Sequence, residues 1–356
     1  MIRFAWLQFR TQALVVFGAL AGLAIVLVAT GPHLAHLYDS TVRSCASEGN
    51  CGTATDLFLR HDVPLRGLLD IFTWVVPVVL GVFWGAPLVA RELEQGTFRL
   101  AWTQSVTRTR WLAAKLALGA LASMAAAGLL SLAVTWWSSP FDRITVDRFA
   151  PDVFSERGIV AIGYAAFAFM LGVAAGVVIR RTLPAMAVTL VGFVTVRQVF
   201  TNWIRPALVA PRHVDVALGG QTPIGFGKTS PTGPLTLYPQ PPDLPNAWVY
   251  STHIVDQHGR TLTTQALNSA CPGLANFGPP RSPAPGSSRA VGPAPEKVAG
   301  ALHDCVLKLG ATYHEVVAYQ PASRYWTFQW LELGIFLAVA AVLGGLCFWW
   351  VRRRLV

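Results

Sequence analysis

Two ionisable side chains interrupt long apolar segments, and they are the strongest candidates for chemistry in this chain. Arg197 lies eight residues before Arg205, and Glu332 lies eight residues after Arg324. At 1.5 Å per residue, both would sit roughly 12 Å inside their helices, at the same depth. An unpaired charge in such surroundings costs at least a few kcal/mol. The spacing therefore predicts an ion pair between Arg197 and Glu332, and the alternative is that each side chain snorkels to the nearer polar surface.

The cysteines offer a second kind of chemistry. Cys45, Cys51, Cys271 and Cys305 lie in polar segments, whereas Cys347 lies in an apolar one. Disulfides Cys45–Cys51 and Cys271–Cys305 close within one segment each, and we predict them for an oxidising compartment, with free thiols as the alternative. Zinc binding would need ligand spacing such as paired C-x-x-C, which the sequence lacks.

Motifs for catalysis or nucleotide binding are weak. The segment 220–229 resembles a phosphate loop, but Thr222 stands where that motif needs glycine and Pro223 stiffens it. His303, Asp304 and His314 could supply a metal ligand or a base, yet no second ligand motif accompanies them, which favours solvated loop residues. We therefore predict no catalytic, cofactor-binding or metal-binding residue and no enzymatic activity in this chain.

Long apolar segments must position these residues. Of the 356 residues 53% are hydrophobic and only 13% are charged, a composition typical of membrane proteins. Lipid cannot satisfy backbone amides, so apolar runs of this length form helices. We predict an all-α integral membrane protein with a bundle at 1–204 and a sixth span with a basic tail at 325–356. The first five spans are predicted at about 11–32, 69–90, 112–137, 158–179 and 182–204.

The distribution of charge predicts the orientation. The net charge of +10 alone would also fit nucleic-acid binding. With the N-terminus in the cytoplasm, however, the inner side holds twelve Lys and Arg residues but only two acidic residues, which follows the positive-inside rule. We therefore predict a multi-pass plasma-membrane protein with both termini cytoplasmic, contact with anionic lipid and no nucleic-acid partner. The inner basic residues are Arg3, Arg10, Arg91, Arg99, Arg108, Arg110, Lys115, Arg180, Arg181, Arg352, Arg353 and Arg354.

The segment 205–324 is predicted to form a large extracytoplasmic domain of mixed or irregular structure. It holds 17 of the 24 prolines. Within it, 247–264 alternates polar and β-branched residues around His258-Gly259, which predicts a hairpin. Apolar residues at helical spacing predict a helix over 296–309.

The loop 91–111 carries a family resemblance. Glu92 and Glu94 prolong the second span out of the bilayer, and Gly96 ends or turns it. An acidic residue, a Gly-Thr pair, Ser-x-x-Arg and a later Lys resemble the loop between the second and third spans of type-two ABC transporter permeases. Segments 203–206 and 320–329 look like the actinobacterial branch of that family. The residues of the resemblance are Glu92, Gly96, Thr97, Ser105, Arg108 and Lys115.

The resemblance implies the permease subunit of an ABC exporter that docks on a separate ATPase subunit, where ATP and Mg would bind. It implies a second copy of the permease and a substrate that crosses between the copies; the Trp-rich apolar lining favours a lipophilic or amphipathic one. An alternative for the loop is an ordinary basic turn at lipid headgroups. An alternative for the whole chain is a membrane-anchored receptor or sensor. A self-powered carrier is disfavoured because buried carboxylates are scarce. The expected ATPase-coupling residues are Glu92, Glu94, Gly96, Thr97, Arg99, Ser105 and Arg108.

Overall fold

The chain divides into two compact units. A computed structural model describes residues 2–45, 51–60, 63–96, 107–144, 148–219, 224–228, 235–239, 244, 246–272 and 296–354. One unit, called here the membrane unit, comprises Met1–Val209 and Ser323–Val356, and the other comprises Ala210–Ala322. The outer domain was predicted to begin at residue 205, but the membrane unit continues to Val209 and therefore includes Arg205.

Helices account for most of the described residues. They are α1 (Ile2–Tyr38), α2 (Gly52–Arg60), α3 (Val63–Val79), α4 (Ala86–Gln95), α5 (Arg108–Asp142), α6 (Pro151–Glu156), α7 (Val160–Ile179), α8 (Thr182–Val199), α9 (Arg205–Ala207), α10 (Thr264–Ala270), α11 (Glu296–Gly310) and α12 (Tyr325–Arg354). Three π-helical turns, Asp39–Arg43, Leu80–Gly85 and Phe200–Ile204, prolong or join helices of the membrane unit, and a short 3₁₀ turn, Ala322–Arg324, precedes α12.

The prediction of six apolar helices is confirmed. Among the described residues, the segments long and apolar enough to cross a membrane are Phe9–Arg43, Val63–Gln95, Thr109–Asp142, Val160–Ile179, Thr182–Ala207 and Ala322–Arg353. We call these the first to sixth spans. All of them except the fourth extend beyond their predicted bounds, because the helices continue through polar residues at their ends. The fourth span ends at Ile179 as predicted and begins two residues later than predicted, at Val160.

The fourth span is the centre of the membrane unit. Most of its residues are buried between Val160 and Val177, and it packs against the second, third, fifth and sixth spans. The other spans leave large apolar side chains outward, such as Leu183 at 78% exposed and Val15 at 72%. Outward side chains of this kind suit contact with lipid or with another apolar helix, as expected for a bundle in a bilayer.

Glycines bring the second and fourth spans into backbone contact at the π-helical turn. A Cβ on Gly172 would lie 2.7 Å from the backbone nitrogen of Ala86, and one on Gly81 would lie 2.6 Å from the carbonyl oxygen of Ala168. No real side chain fits at such distances. The π-helical turn and its glycines therefore let the two helices approach more closely than larger residues would allow.

The 210–322 unit contains a three-stranded antiparallel sheet with a separate β-ribbon. Strands β1 (Arg212–Ala217), β5 (Tyr313–Gln320) and β4 (Trp248–Asp256) form the sheet with β5 in the centre, and β2 (Ile224–Lys228) pairs with β3 (Leu235–Pro239). The predicted turn at His258-Gly259 follows β4, but only the bridge Val255–Thr261 continues beyond it. The predicted helix over 296–309 is observed as α11.

A small core and a disulfide hold this unit together. Leu218, Ile254, Leu267 and Leu309 are buried around the disulfide Cys271–Cys305, whose Cα atoms are 5.1 Å apart. In the membrane unit Cys45 pairs with Cys51 across 5.7 Å between Cα atoms, and Cys347 is free and buried. Both pairings are those expected from the sequence.

Candidate functional site

A buried charge cluster joins the fourth, fifth and sixth spans. The Glu332 side chain is fully buried and accepts two hydrogen bonds from Arg205, from Nε at 2.9 Å and from Nη2 at 3.0 Å. The Tyr164 hydroxyl donates to the same carboxylate, and Arg205 Nη2 also donates to that hydroxyl at 3.1 Å. This bidentate geometry is the strongest form of an Arg–carboxylate contact. The three residues form a lock between three helices.

The predicted partner of Glu332 is corrected by this geometry. Arg197 does not pair with it; its guanidinium lies over the rings of Tyr164 at 4.4 Å and Trp74 at 5.3 Å. Among the described residues its Nη1 has no hydrogen-bond partner. Arg205, which served in the sequence as a marker of the helix end, is only 1% exposed and takes the carboxylate instead.

The π-helical turn Phe200–Ile204 explains why Arg205 reaches the interior. Eight residues of regular helix rotate a side chain by about 80° beyond two full turns. The wider π-helical turn takes up part of that rotation, so Arg205 lies on nearly the same face as Arg197. The apolar segment thus carries two inward arginines, one paired and one held on aromatic rings.

Gln329, one turn before Glu332, fastens the start of the fourth span. It is fully buried, and its carbonyl oxygen accepts hydrogen bonds from the backbone N–H groups of Ile159 at 3.1 Å and Val160 at 3.0 Å. Its amide nitrogen donates to the carbonyl oxygens of Phe154 and Arg157, both at 3.0 Å. The side chain therefore satisfies backbone groups that a helix N-terminus leaves open.

The segment before the fourth span is also held by the third. Ser131 donates to the carbonyl oxygens of Glu156 at 3.0 Å and Gly158 at 2.8 Å. Arg157 forms a largely buried ion pair with Asp142 at the end of α5. Burial lowers the pKa of Arg157 to about 10, and the charge of Arg66 acts in the same direction. This end of the bundle is therefore a second polar cluster.

The predicted coupling loop begins with two carboxylates that contact other spans. Glu92 forms an ion pair with the buried Lys115 of the third span. Glu94 accepts hydrogen bonds from the backbone N–H of Thr182 at 3.0 Å and from its hydroxyl at 2.7 Å, at the start of the fifth span. Gly96 ends α4 with φ of +71°, a left-handed conformation that favours glycine.

The other predicted coupling residues are only partly described. Thr97, Arg99 and Ser105 lie outside the described residues, and Arg108 begins α5 with its side chain outside the description. Thr107 caps that helix by accepting a hydrogen bond from the Arg110 N–H at 3.4 Å. The two carboxylates chosen as docking residues thus also brace the second span against the third and fifth.

The remaining candidates form no site among the described residues. Within that part of the chain, no group of three His, Cys, Asp or Glu residues could hold a metal ion. In the segment that resembles a phosphate loop, 224–228 forms strand β2, and the flanking positions 220–223 and 229 lie outside the description.

Sequence reasoning missed Tyr164, Gln329 and Lys115 as members of these clusters. Gln329 and Glu332 are three residues apart and share a helix face, a signal that was present in the sequence. Tyr164 was not predicted as a site residue, and Lys115 was predicted only as an inner basic residue and as part of the family resemblance. Their partners are distant in the chain, which no local pattern reveals.

Comparison with known proteins identifies the family. Residues 17–205 match a family model described as ABC-2 membrane transporter related, a region that includes most of the first span, the loop 91–111 and nearly all of the fifth span. Neither curated proteins nor solved structures gave a match. Because the matched region spans more than half of the chain, this multi-pass membrane protein belongs to the ABC-2 membrane transporter related family.

Proposed function

We propose that this chain is the permease subunit of an ATP-driven exporter that works with a separate ATPase subunit. The observation that carries the proposal is the family match over 17–205, which includes the loop between the second and third spans. ATP and Mg would bind to the ATPase, and this subunit would perform no bond chemistry. The charge distribution supports a plasma-membrane location with that loop and both termini in the cytoplasm.

The contacts of the loop suggest how force would pass from the ATPase to the spans. Glu92 holds Lys115 on the third span, and Glu94 holds Thr182 on the fifth. A displacement of the loop by a docked ATPase would therefore act on the second, third and fifth spans together. Closure of two ATPases around ATP would supply that displacement.

The lock of Arg205, Tyr164 and Glu332 would set the resting state. It joins the fourth, fifth and sixth spans, and breaking a buried ion pair costs about 3–5 kcal/mol. A transition that separates these spans must provide this energy or keep the pair intact. We propose that the lock holds the end of the bundle away from the ATPase closed until the loop is displaced.

The remaining parts of the proposal concern the assembly and its cargo. A second copy of the chain would complete the pathway, and a lipophilic or amphipathic substrate would cross between the copies. Outward apolar side chains such as Leu183 and Val15 suit contact with lipid or with another bundle.

Copurification tests the proposal most directly. A tagged chain isolated from its native membrane in mild detergent should bring an ATPase subunit in a fixed ratio. The double reversal E92K/E94K should reduce that ratio and uncouple export from ATP hydrolysis. The reversal D39K/D56K, on two exposed carboxylates outside the loop, provides a matched control and should change neither the ATPase ratio nor the coupling.

A swap separates docking from internal bracing. In E92K/K115E the ion pair can re-form with its charges exchanged, so the helices stay braced while the loop carries the wrong charge for docking. Loss of ATPase binding in this swap supports docking through Glu92.

Isolation of the chain without any ATPase, together with ligand binding by the 210–322 unit, would instead favour a receptor or sensor.

A further inference from the structure

The cluster at the end of the third span borders a half-open cavity of about 300 Å³ that the proposed transport mechanism does not use. We call it the arginine cavity. Its lining includes Arg143, Arg148 and Arg157 together with Asp142, Ser139 and Tyr325. The third span runs from Thr109 to Asp142, so the cavity lies at the end of the bundle opposite the loop 91–111.

Among the described residues, the charges of the cavity are not balanced. Asp142 neutralises Arg157 through their ion pair. Neither Arg143 nor Arg148 has an ion-pair partner in the described ranges, and both are exposed. Nearby, Arg66 and Asp70 add one charge of each sign around Arg157. Two guanidinium groups are thus left without a counter-charge from the residues that the structure describes.

Contacts with tyrosines position two of the three arginines, Arg143 and Arg157. Arg143 lies with its guanidinium 5.5 Å from the ring centroid of Tyr38, and the backbone carbonyl of Arg157 accepts a hydrogen bond from Tyr325 at 3.4 Å. Arg157 itself is only 7% exposed, and its Nε–H has no hydrogen-bond partner among the described residues. The site is therefore fixed by three separate parts of the chain, α5, the segment before α7 and the start of α12.

The chemistry of this lining selects one class of ligand. Guanidinium groups bind oxyanions through paired N–H donors, and phosphate is the oxyanion that they match best among biological groups of this size. The Ser139 hydroxyl adds a further donor on the wall, and the exposed ring of Trp326 adds apolar surface at the rim. A cavity of this volume accommodates a phosphate with part of a headgroup.

We propose that the arginine cavity binds a phosphate group, either the phosphodiester of an anionic lipid headgroup or free phosphate. The site is independent of ATPase docking and extends beyond the transport function proposed above. Its position at the end of a span, where headgroups lie, makes a lipid the first ligand to test.

The experiment uses the full-length protein in nanodiscs of equal parts phosphatidylglycerol and phosphatidylcholine. Native mass spectrometry measures the lipid that remains bound. The variant R143Q/R148Q removes the two uncompensated charges and should lower retained phosphatidylglycerol roughly tenfold or more, since a hydrogen bond to a charged group is worth about 1.5–3 kcal/mol. The variant R43Q/R60Q removes two other exposed arginines and should retain it as the wild type does.

A second arm distinguishes the source of the phosphate. In nanodiscs of phosphatidylcholine alone, calorimetry with inorganic phosphate should show binding to the wild type that R143Q/R148Q loses, if free phosphate is the ligand. Loss of phosphatidylglycerol without any phosphate binding assigns the site to lipid. Ser139→Glu places a carboxylate on the cavity wall and should abolish either kind of binding, which keeps the test decisive if the double variant does not fold. Unchanged binding of both probes in the folded variants would overturn the proposal.

Discussion

The lock of Arg205, Tyr164 and Glu332 gives the sharpest quantitative test of the structure. Arg205→Gln leaves the Glu332 carboxylate buried without a counter-ion, and breaking a buried pair in this way costs about 3–5 kcal/mol. For a unit of this size, each kcal/mol corresponds to about 2–4 °C in Tm. We therefore expect the Tm of the purified protein in detergent, followed by tryptophan fluorescence, to fall on the order of 10 °C.

Arg197 provides the matched control, because it lies on the same span and is buried to a similar degree. Arg197→Gln removes a guanidinium that has ring contacts but, among the described residues, no ion pair, so its effect on Tm should be clearly smaller. Among charge swaps, R205E/E332R should recover part of the lost stability and R197E/E332R should recover none. Equal losses for the two single variants, or recovery only with the Arg197 swap, would refute the assignment.

Three further predictions concern other positions. Gln329→Leu should destabilise the membrane unit by about 3 kcal/mol, because four backbone groups lose their hydrogen-bond partner. Hydrogen exchange at 154–163 should therefore accelerate. The control Gln198→Leu, at an exposed position, should leave this exchange unchanged. Burial raises the pKa of Glu315, so its protonated form stabilises the 210–322 unit at low pH, and this contribution is lost as pH rises through the raised pKa. Hydrogen exchange of β5, corrected for intrinsic rates, should therefore speed up from about pH 4 towards 7 in the wild type. Glu315→Gln should remove most of this pH dependence. A pH-independent stability of β5 in the wild type would contradict the role given to Glu315. Gly172→Val should prevent correct packing of the fourth span, measured as loss of the monodisperse peak on size exclusion, while Gly22→Val, with open space around it, should elute normally.

The spans could be predicted from sequence because membrane insertion depends on length and hydropathy, which are local properties. The cysteine pairs could also be anticipated, since each pair lies within one polar segment. Helix ends were harder to predict from sequence. Arg205 precedes Pro206, a pattern that usually ends a helix, yet the helix continues through the π-helical turn to Ala207.

The partners of the buried charges could not be derived, because they depend on how separate helices rotate against each other. Depth along the helix correctly placed Glu332 in the interior, but equal depth pointed to Arg197, whereas the structure pairs Glu332 with Arg205. Likewise, glutamate is a residue type typical of surfaces, and the ion pair of Glu92 with Lys115 forms because the third span packs against the second. Residue type indicates that a buried charge needs a partner, whereas tertiary packing decides which one.

The disulfide Cys271–Cys305 has a practical consequence for engineering. It fixes two points 5.1 Å apart that enclose 33 intervening residues of sequence. Since closing a longer loop adds only about 0.6 kcal/mol for each doubling of its length, an epitope or fluorescent tag inserted between 280 and 290 should add little strain to the sheet. Such a tag would be a convenient handle for measuring which compartment this unit faces, because impermeant antibodies on whole cells would bind it only if the unit is extracytoplasmic.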